Sequence, residues 1–139
     1  MIENKISIDP FKLWESFGEA IGIDKLHDFY GEYWPRKPLP GELIWEHYYN
    51  SQLVGWSGLR QDILDPVIFL MVGIFPKFQN LGFNKLIIKY TVKKGFELFP
   101  DCSWLFVAVS LRNIEHLTTR FRYQETHRTK WITVGMMLE

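Results

Sequence analysis

The reading of this chain turns on one stretch, Val67-Ile68-Phe69-Leu70-Met71-Val72-Gly73-Ile74-Phe75 followed by Pro76-Lys77-Phe78-Gln79-Asn80-Leu81-Gly82-Phe83-Asn84-Lys85-Leu86. Val67 to Phe75 is continuously apolar, as expected of a central strand covered on both faces, and Pro76 ends it. From Leu81 to Phe99 the pattern is helical: Phe83, Leu86, Ile87 and Tyr90 fall at i, i+3, i+4 and i+7. Lys85, Lys89 and Lys93 make a polar stripe on the same segment, and Pro100 stops it. A helix that opens just after a buried strand presents unpaired backbone N–H groups and the positive end of its dipole. Such a start can bind a pyrophosphate without any special side chain, and a glycine lets the phosphate approach closely. An ordinary strand-to-helix connection, with Gly82 merely easing the turn, accounts for the same residues.

Downstream, Trp104 to Val109 is a second short apolar strand. A strand, a helix and a following strand predict a crossover that makes the two strands neighbours. Ile114, Leu117, Thr118 and Phe121 repeat the helical spacing, and Ile132, Val134, Met136 and Leu138 alternate as a last half-buried strand. Upstream, Leu43 to Tyr49 and Leu53 to Leu59 read as a β-hairpin around Asn50-Ser51-Gln52. Trp34 to Gly41 carries three prolines in eight residues and must be a loop. Before it, a short helix is expected over Asp24 to Tyr30. Asp9-Pro10 starts an earlier one, with Trp14, Phe17 and Ile21 on one face and Gly22 at its end. Asp65-Pro66 breaks the chain before the central strand. The order predicts one mixed α/β domain spanning residues 1–139.

Composition bounds the function. The chain has 139 residues, 47% hydrophobic and 23% charged, which suits a single soluble globular domain. Sixteen basic and sixteen acidic side chains cancel, which argues against a general electrostatic grip on nucleic acid. One cysteine, Cys102, excludes an internal disulfide. The apolar run Val67 to Phe75 is about half of the ~20 residues a membrane-spanning helix needs. Met1-Ile2-Glu3-Asn4-Lys5 lacks the basic start of a signal peptide, so a cytoplasmic location is expected. Six Trp, six Tyr and eleven Phe make 17% of the chain aromatic; they add core mass or line a ligand groove.

Several chemistries fall away. There is no P-loop and no dinucleotide-binding glycine triplet. Gly55-Trp56-Ser57-Gly58-Leu59 lacks the final glycine of a nucleophile elbow and sits within a strand. His27, His47, His116 and His127 have no ligand spacing, so no metal is expected. A Cys102–His116 pair is conceivable in space, but a buried, inert thiol is the plainer reading.

The segment from Ile74 resembles the acyl-CoA-binding motif of the GNAT superfamily of N-acyltransferases: a strand ending Val-x-Pro, then Arg or Gln, two residues, Gly, one residue, and Gly or Ala. Ile74 and Pro76 take the first part, Gln79 and Gly82 match, and Asn84 departs. The order of elements also follows the family's plan of strand, two helices, three strands, helix, strand, helix and two strands, from residue 9 onward. Asn113 stands where the family has an Asn after its fifth strand. Leu117-Thr118-Thr119-Arg120-Phe121-Arg122-Tyr123 aligns with Leu-Tyr-x-Lys-x-Gly-Phe, with Thr118 replacing the tyrosine and Arg122 the glycine. Val134 to Leu138 resembles the terminal strand.

The resemblance implies a GNAT-like α/β fold, with a mixed, mostly antiparallel sheet flanked by helices and a central strand–helix–strand CoA-binding unit. It implies acetyl-CoA, or a related acyl-CoA, as co-substrate and an amine as acceptor. The backbone at Val72 and Ile74 would pair with the pantetheine arm. The N–H groups of Asn80, Leu81, Gly82, Phe83 and Asn84 would hold the pyrophosphate, beside Gln79 and Asn113. An amine of pKa near ~10.4 must lose a proton before attacking a thioester. Glu46 and His47 are the candidate bases and Tyr123 the candidate acid, each of them otherwise a plain strand or core residue. Lys85, Lys89 and Lys93 meet the cofactor's 3′-phosphate or form a solvated face. The rivals are an inactive relative that keeps the fold as a binding module, and an acyl-CoA-dependent modifier of a nucleic-acid base. A homodimer fits so small and aromatic-rich a domain.

Overall fold

In the computed structural model the residues described are 1–61, 67–102, 104–109 and 130–135. The Asp9 carboxylate accepts from the Lys12 N–H at 3.2 Å and starts helix α1, Pro10–Ile21, which Gly22 ends at φ 96°. Helix α2, Ile23–Tyr30, follows directly and stops at Gly31, φ 99°. Positive φ at these two positions is open to glycine at no steric cost.

Strand β1, Ile2–Ile6, precedes α1 and was not expected: three of its five residues are polar, so no apolar run announces it. Strands β2, Leu43–Tyr49, and β3, Gln52–Gln61, form the expected hairpin. Its turn is tighter than the sequence suggested. Asn50 and Ser51 alone carry positive φ, 49° and 64°, which matches the twist of a two-residue hairpin. Strand β4, Val67–Ile74, leads through a 3₁₀ turn, Pro76–Phe78, to helix α3, Phe83–Leu98. Strands β5, Trp104–Val109, and β6, Lys130–Gly135, complete a sheet of order β1-β2-β3-β4-β5-β6.

The first four strands pair antiparallel, and β4, β5 and β6 run parallel. The crossover from β4 through α3 thus makes β5 the neighbour of β4, as predicted. One strand follows β5 among the described residues; the expected helix from Ile114 and the alternation at Met136 and Leu138 lie outside them, as does Asp65-Pro66.

A core lies on each face of the sheet. On the α3 face, Trp45, Leu59, Ile68, Leu70 and Leu105 pack with Ile88 and Val92. On the α1/α2 face, Ile44 and Trp56 pack with Leu13, Trp14, Phe17, Leu26 and Trp34. The buried face of α3 is Ile87, Ile88, Thr91, Val92 and Gly95. Leu86, which the spacing assigned to that face, is 54% exposed, because the buried stripe is turned by one residue. Among the described residues, Trp14, Phe17, Trp34 and Trp56, with Tyr30 and Phe75, form an aromatic core on the α1/α2 side. Trp34 and Trp56 stack at 5.8 Å, Trp14 meets Trp34 at 4.2 Å, and Phe17 stands edge-on to Trp56 at 5.7 Å. The Arg36 guanidinium covers this cluster, 4.9 Å from the Trp34 ring, and is held by Glu42 through two contacts of 2.8 Å. No helix among the described residues is long and apolar enough to cross a membrane.

Candidate functional site

The site begins where two parallel strands part. β4 and β5 pair from Val67–Trp104 to Leu70–Val107 and no further, while β4 runs on to Ile74 and β5 to Val109. On the other side β4 stays paired with β3 as far as Gly55–Ile74. The Phe75 N–H donates to the Val54 carbonyl at 3.0 Å. Hydrogen-bonded and non-bonded pairs alternate along an antiparallel ladder, so Trp56–Gly73 is bonded while Gly55–Ile74 and Ser57–Val72 are not. The N–H and C=O groups of Val72 and Ile74 therefore point away from β3, into the slot between β4 and β5.

Two of those four groups already have partners. The Tyr30 hydroxyl donates to the Val72 carbonyl at 2.6 Å, and the Gln79 side-chain amide donates to the Ile74 carbonyl at 3.1 Å. Burial pushes the Tyr30 phenol well above its ordinary pKa, so it stays protonated and able to donate. Tyr30 ends α2, 42 positions before Val72 in the chain. Nothing in its local sequence marks it out, and sequence reasoning missed it.

From Ile74 the chain leads through the 3₁₀ turn Pro76–Phe78 into the start of α3. Asn80 and Gly82 both adopt left-handed backbone, φ 63° and 88°, and no side chain caps the helix. The N–H groups of Gly82, Phe83, Asn84 and Lys85 have no acceptor within the helix. A Cβ at Gly82 would meet nothing within 4 Å, so the approach to these groups is open. Leu81 is 64% exposed. Phe83 is fixed by Phe78 and Tyr49, with ring centroids 6.0 and 5.2 Å away. Asn84, in the first turn, is half-buried. Lys85, Lys89 and Lys93 are exposed along α3.

The candidate bases lie on opposite faces of the sheet, because side chains alternate along β2. Glu46 sits on the α1/α2 face, its carboxylate accepting from Ser7 Oγ at 2.8 Å and from the Tyr48 hydroxyl at 2.5 Å. That hydrogen bond, with some burial, pushes the Tyr48 pKa up to about 12. Glu46 pairs with Trp56, which pairs with Gly73; two strand spacings separate Glu46 from β4, about 10 Å.

His47 faces α3 and is fully buried. Its Nδ1 is 2.6 Å from Asn4 Oδ1 and its Nε2 2.7 Å from Ser57 Oγ, which Thr91 Oγ1 also reaches at 2.7 Å. Desolvation lowers its pKa to about 4. With both ring nitrogens engaged inside the core, His47 is not brought to the slot, a correction to its reading as a base. Tyr123, Asn113, Thr118 and Arg122 lie outside the described residues.

Other groups stay structural. Ser57 is buried within β3. Cys102 is 5% exposed, and burial together with the Asp101 charge raises its pKa. Among the described residues no three His, Cys, Asp or Glu side chains gather as a metal-ligand set.

The architecture is similar to that of the spermidine/spermine N-acetyltransferase SpeG from Vibrio cholerae, with TM-score 0.62 and 13% identity over 91% of this chain and 82% of that one. A dodecameric structure of spermidine N-acetyltransferase from the same organism gives TM-score 0.62 and 12% identity over 87% and 77% of the two chains. An acetyltransferase from Trypanosoma brucei gives TM-score 0.55 and 11% identity over 96% and 100%. No protein-family model and no curated protein matches the sequence. At these identities the likeness defines the fold: this chain has the fold of the GNAT acetyltransferases.

Proposed function

We propose that this chain is an N-acyltransferase that binds acetyl-CoA, or a related acyl-CoA, between β4 and β5 and transfers the acyl group to an amine of a small molecule or protein. The observation that carries this reading is the splay of the two strands. It leaves the N–H groups of Val72 and Ile74, which face away from β3, without a β5 partner, a few residues before an uncapped helix start.

The chemistry suits these groups. The thioester of the co-substrate is the activated acyl donor. A backbone N–H of β4 polarises its carbonyl, and such a preorganised amide costs no reorganisation at the moment of reaction. The N–H groups around Gly82, with Gln79, Asn80, Leu81, Phe83 and Asn84, hold the pyrophosphate. Glu46, about 10 Å from β4, takes the amine proton through water; His47 drops out. Tyr123 as acid and Asn113 as a cofactor contact complete the reading on the resemblance alone. One domain spanning residues 1–139 carries the reaction in the cytoplasm. The dodecameric state of a structural neighbour supports self-association, in the first instance as a homodimer.

One observation favours a non-catalytic binding module as the second reading: both slot-facing carbonyls of β4 are taken by side chains of the chain itself. Calorimetric titration with acetyl-CoA, CoA and dephospho-CoA, followed by a turnover assay on a screen of amines, separates the two: a non-catalytic module turns over none of them, with or without cofactor binding. Saturable binding and turnover of an amine are expected; no binding at millimolar cofactor would reduce the likeness to one of fold.

A further inference from the structure

Strand β1 closes one end of the sheet, paired with β2 alone among the described residues. That pairing decides which of its backbone groups face outward. The Ser7 N–H donates to the Ile44 carbonyl at 2.8 Å. In the register Lys5–Glu46 and Glu3–Tyr48, the alternation of an antiparallel ladder makes those two pairs hydrogen-bonded as well. Ile2, Asn4 and Ile6 are therefore the residues whose N–H and C=O groups point away from β2.

The sequence of the strand is Ile2-Glu3-Asn4-Lys5-Ile6, which keeps its physical character under reversal once the two charges are exchanged. We propose that β1 pairs antiparallel with β1 of a second copy about a two-fold axis at Asn4, joining two sheets into one. In that register Asn4 faces Asn4 of the partner subunit, and Ile2 faces Ile6 of the partner subunit. These are the outward-facing residues, so every pair exchanges two backbone hydrogen bonds. Glu3 then lies opposite Lys5 of the partner subunit, in the non-bonded positions where side chains approach most closely. Ile6, an apolar residue 56% exposed in the single chain, is covered.

The neighbouring registers are selected against. Hydrogen bonding allows only shifts by two residues, and those place Glu3 opposite Glu3 or Lys5 opposite Lys5 of the partner subunit. Like charges directly opposite are destabilising. Within one chain Glu3 and Lys5 already sit 3.6 Å apart, with side chains 65% and 61% exposed. The partner adds a second such pair beside the first. A charged edge strand of this kind ordinarily discourages strand addition; here the charges discourage every occupant but one of complementary order, which the chain itself supplies.

The inference rests on the self-association put forward above and not on acyl transfer, so the two fail separately. Sedimentation equilibrium tests it on four proteins: the unaltered chain, Lys5→Glu, Glu3→Lys, and the double exchange Glu3→Lys with Lys5→Glu. The unaltered chain is expected at twice the 16.6 kDa mass of one copy. Each single variant should raise the dimer Kd by about tenfold or more, an equimolar mixture of the two single variants should dimerise, and the double exchange should recover the dimer. Cofactor affinity should stay unchanged throughout. A monomer at millimolar concentration overturns the inference. So does a dimer whose Kd ignores the single variants, or a double exchange that fails to recover a folded protein's dimer.

Discussion

The hydroxyl of Tyr30, at the end of α2, donates to the Val72 carbonyl of β4 at 2.6 Å. Val72 is the first residue of β4 to turn its backbone into the slot after pairing with β5 stops at Leu70. A β-like ligand entering that slot meets one free donor at Val72 and an acceptor already in use. Replacing Tyr30 with Phe frees the acceptor. Since a net hydrogen bond is worth about 0.5–1.5 kcal/mol, CoA should bind about two- to tenfold more tightly to Tyr30→Phe. The unliganded variant should also unfold more easily, with a part-buried carbonyl left without its partner. Calorimetry and urea titration read the two effects; unchanged affinity would mean that the ligand makes no use of the Val72 carbonyl.

At Gly82 the constraint is conformational and the space is open. Its φ of 88° is left-handed, and a Cβ there would meet no protein atom within 4 Å. Asn tolerates this region far better than a β-branched residue does. Gly82→Asn should keep the stability of the unaltered chain within about 1 kcal/mol, yet place its side chain where a pyrophosphate approaches the helix. Loss of CoA affinity by about tenfold, with dephospho-CoA affected equally, is the expected calorimetric result. Gly82→Val should lose both stability and affinity.

His47 makes stability depend on pH. Burial lowers its pKa from 6.5 to about 4. The unfolded chain then binds the proton more readily than the folded one. The stability is fully present above pH 6.5 and drains as pH falls from there toward 4, by about 3 kcal/mol in all. Comparing denaturant midpoints of the unaltered chain and His47→Gln across that window isolates the effect from carboxylate titration. The unaltered chain should show the steeper loss, and equal slopes would remove His47 as its source.

Gly73 is set by what lies over it. An added Cβ would come 2.3 Å from Trp56 Nε1 and 2.8 Å from Phe17 Cζ. Both rings are buried in the aromatic cluster and have nowhere to go. Gly73→Ala should therefore cost about 1–3 kcal/mol, seen as a lower denaturation midpoint. It should also displace Trp56 enough to change near-ultraviolet dichroism.

How much of this was legible beforehand follows from the range of each interaction. The β4–α3 unit could be read because a long apolar run, a proline stop and a 3.6-residue period are local properties. The boundaries of β2 and β5 were met for the same reason. β1 was not, because Ile2-Glu3-Asn4-Lys5-Ile6 has little apolar pattern and becomes a strand through its register with β2. Leu86 was misplaced because a periodicity fixes spacing along a helix and leaves the exact rotation to packing.

Local pattern alone carries the order of elements from α1 to β5 and the open start of α3, where glycine and the absence of a capping side chain act within one turn. The other relationships came from packing across the sheet. Adjacent residues on a strand must face opposite sides of the sheet, so Glu46 and His47 could not share a site, but which face each took depended on where α1, α2 and α3 settled. The contact of Tyr30 with Val72 spans 42 positions. Such a contact arises from the packing of a helix end on a strand edge, and no local pattern carries it.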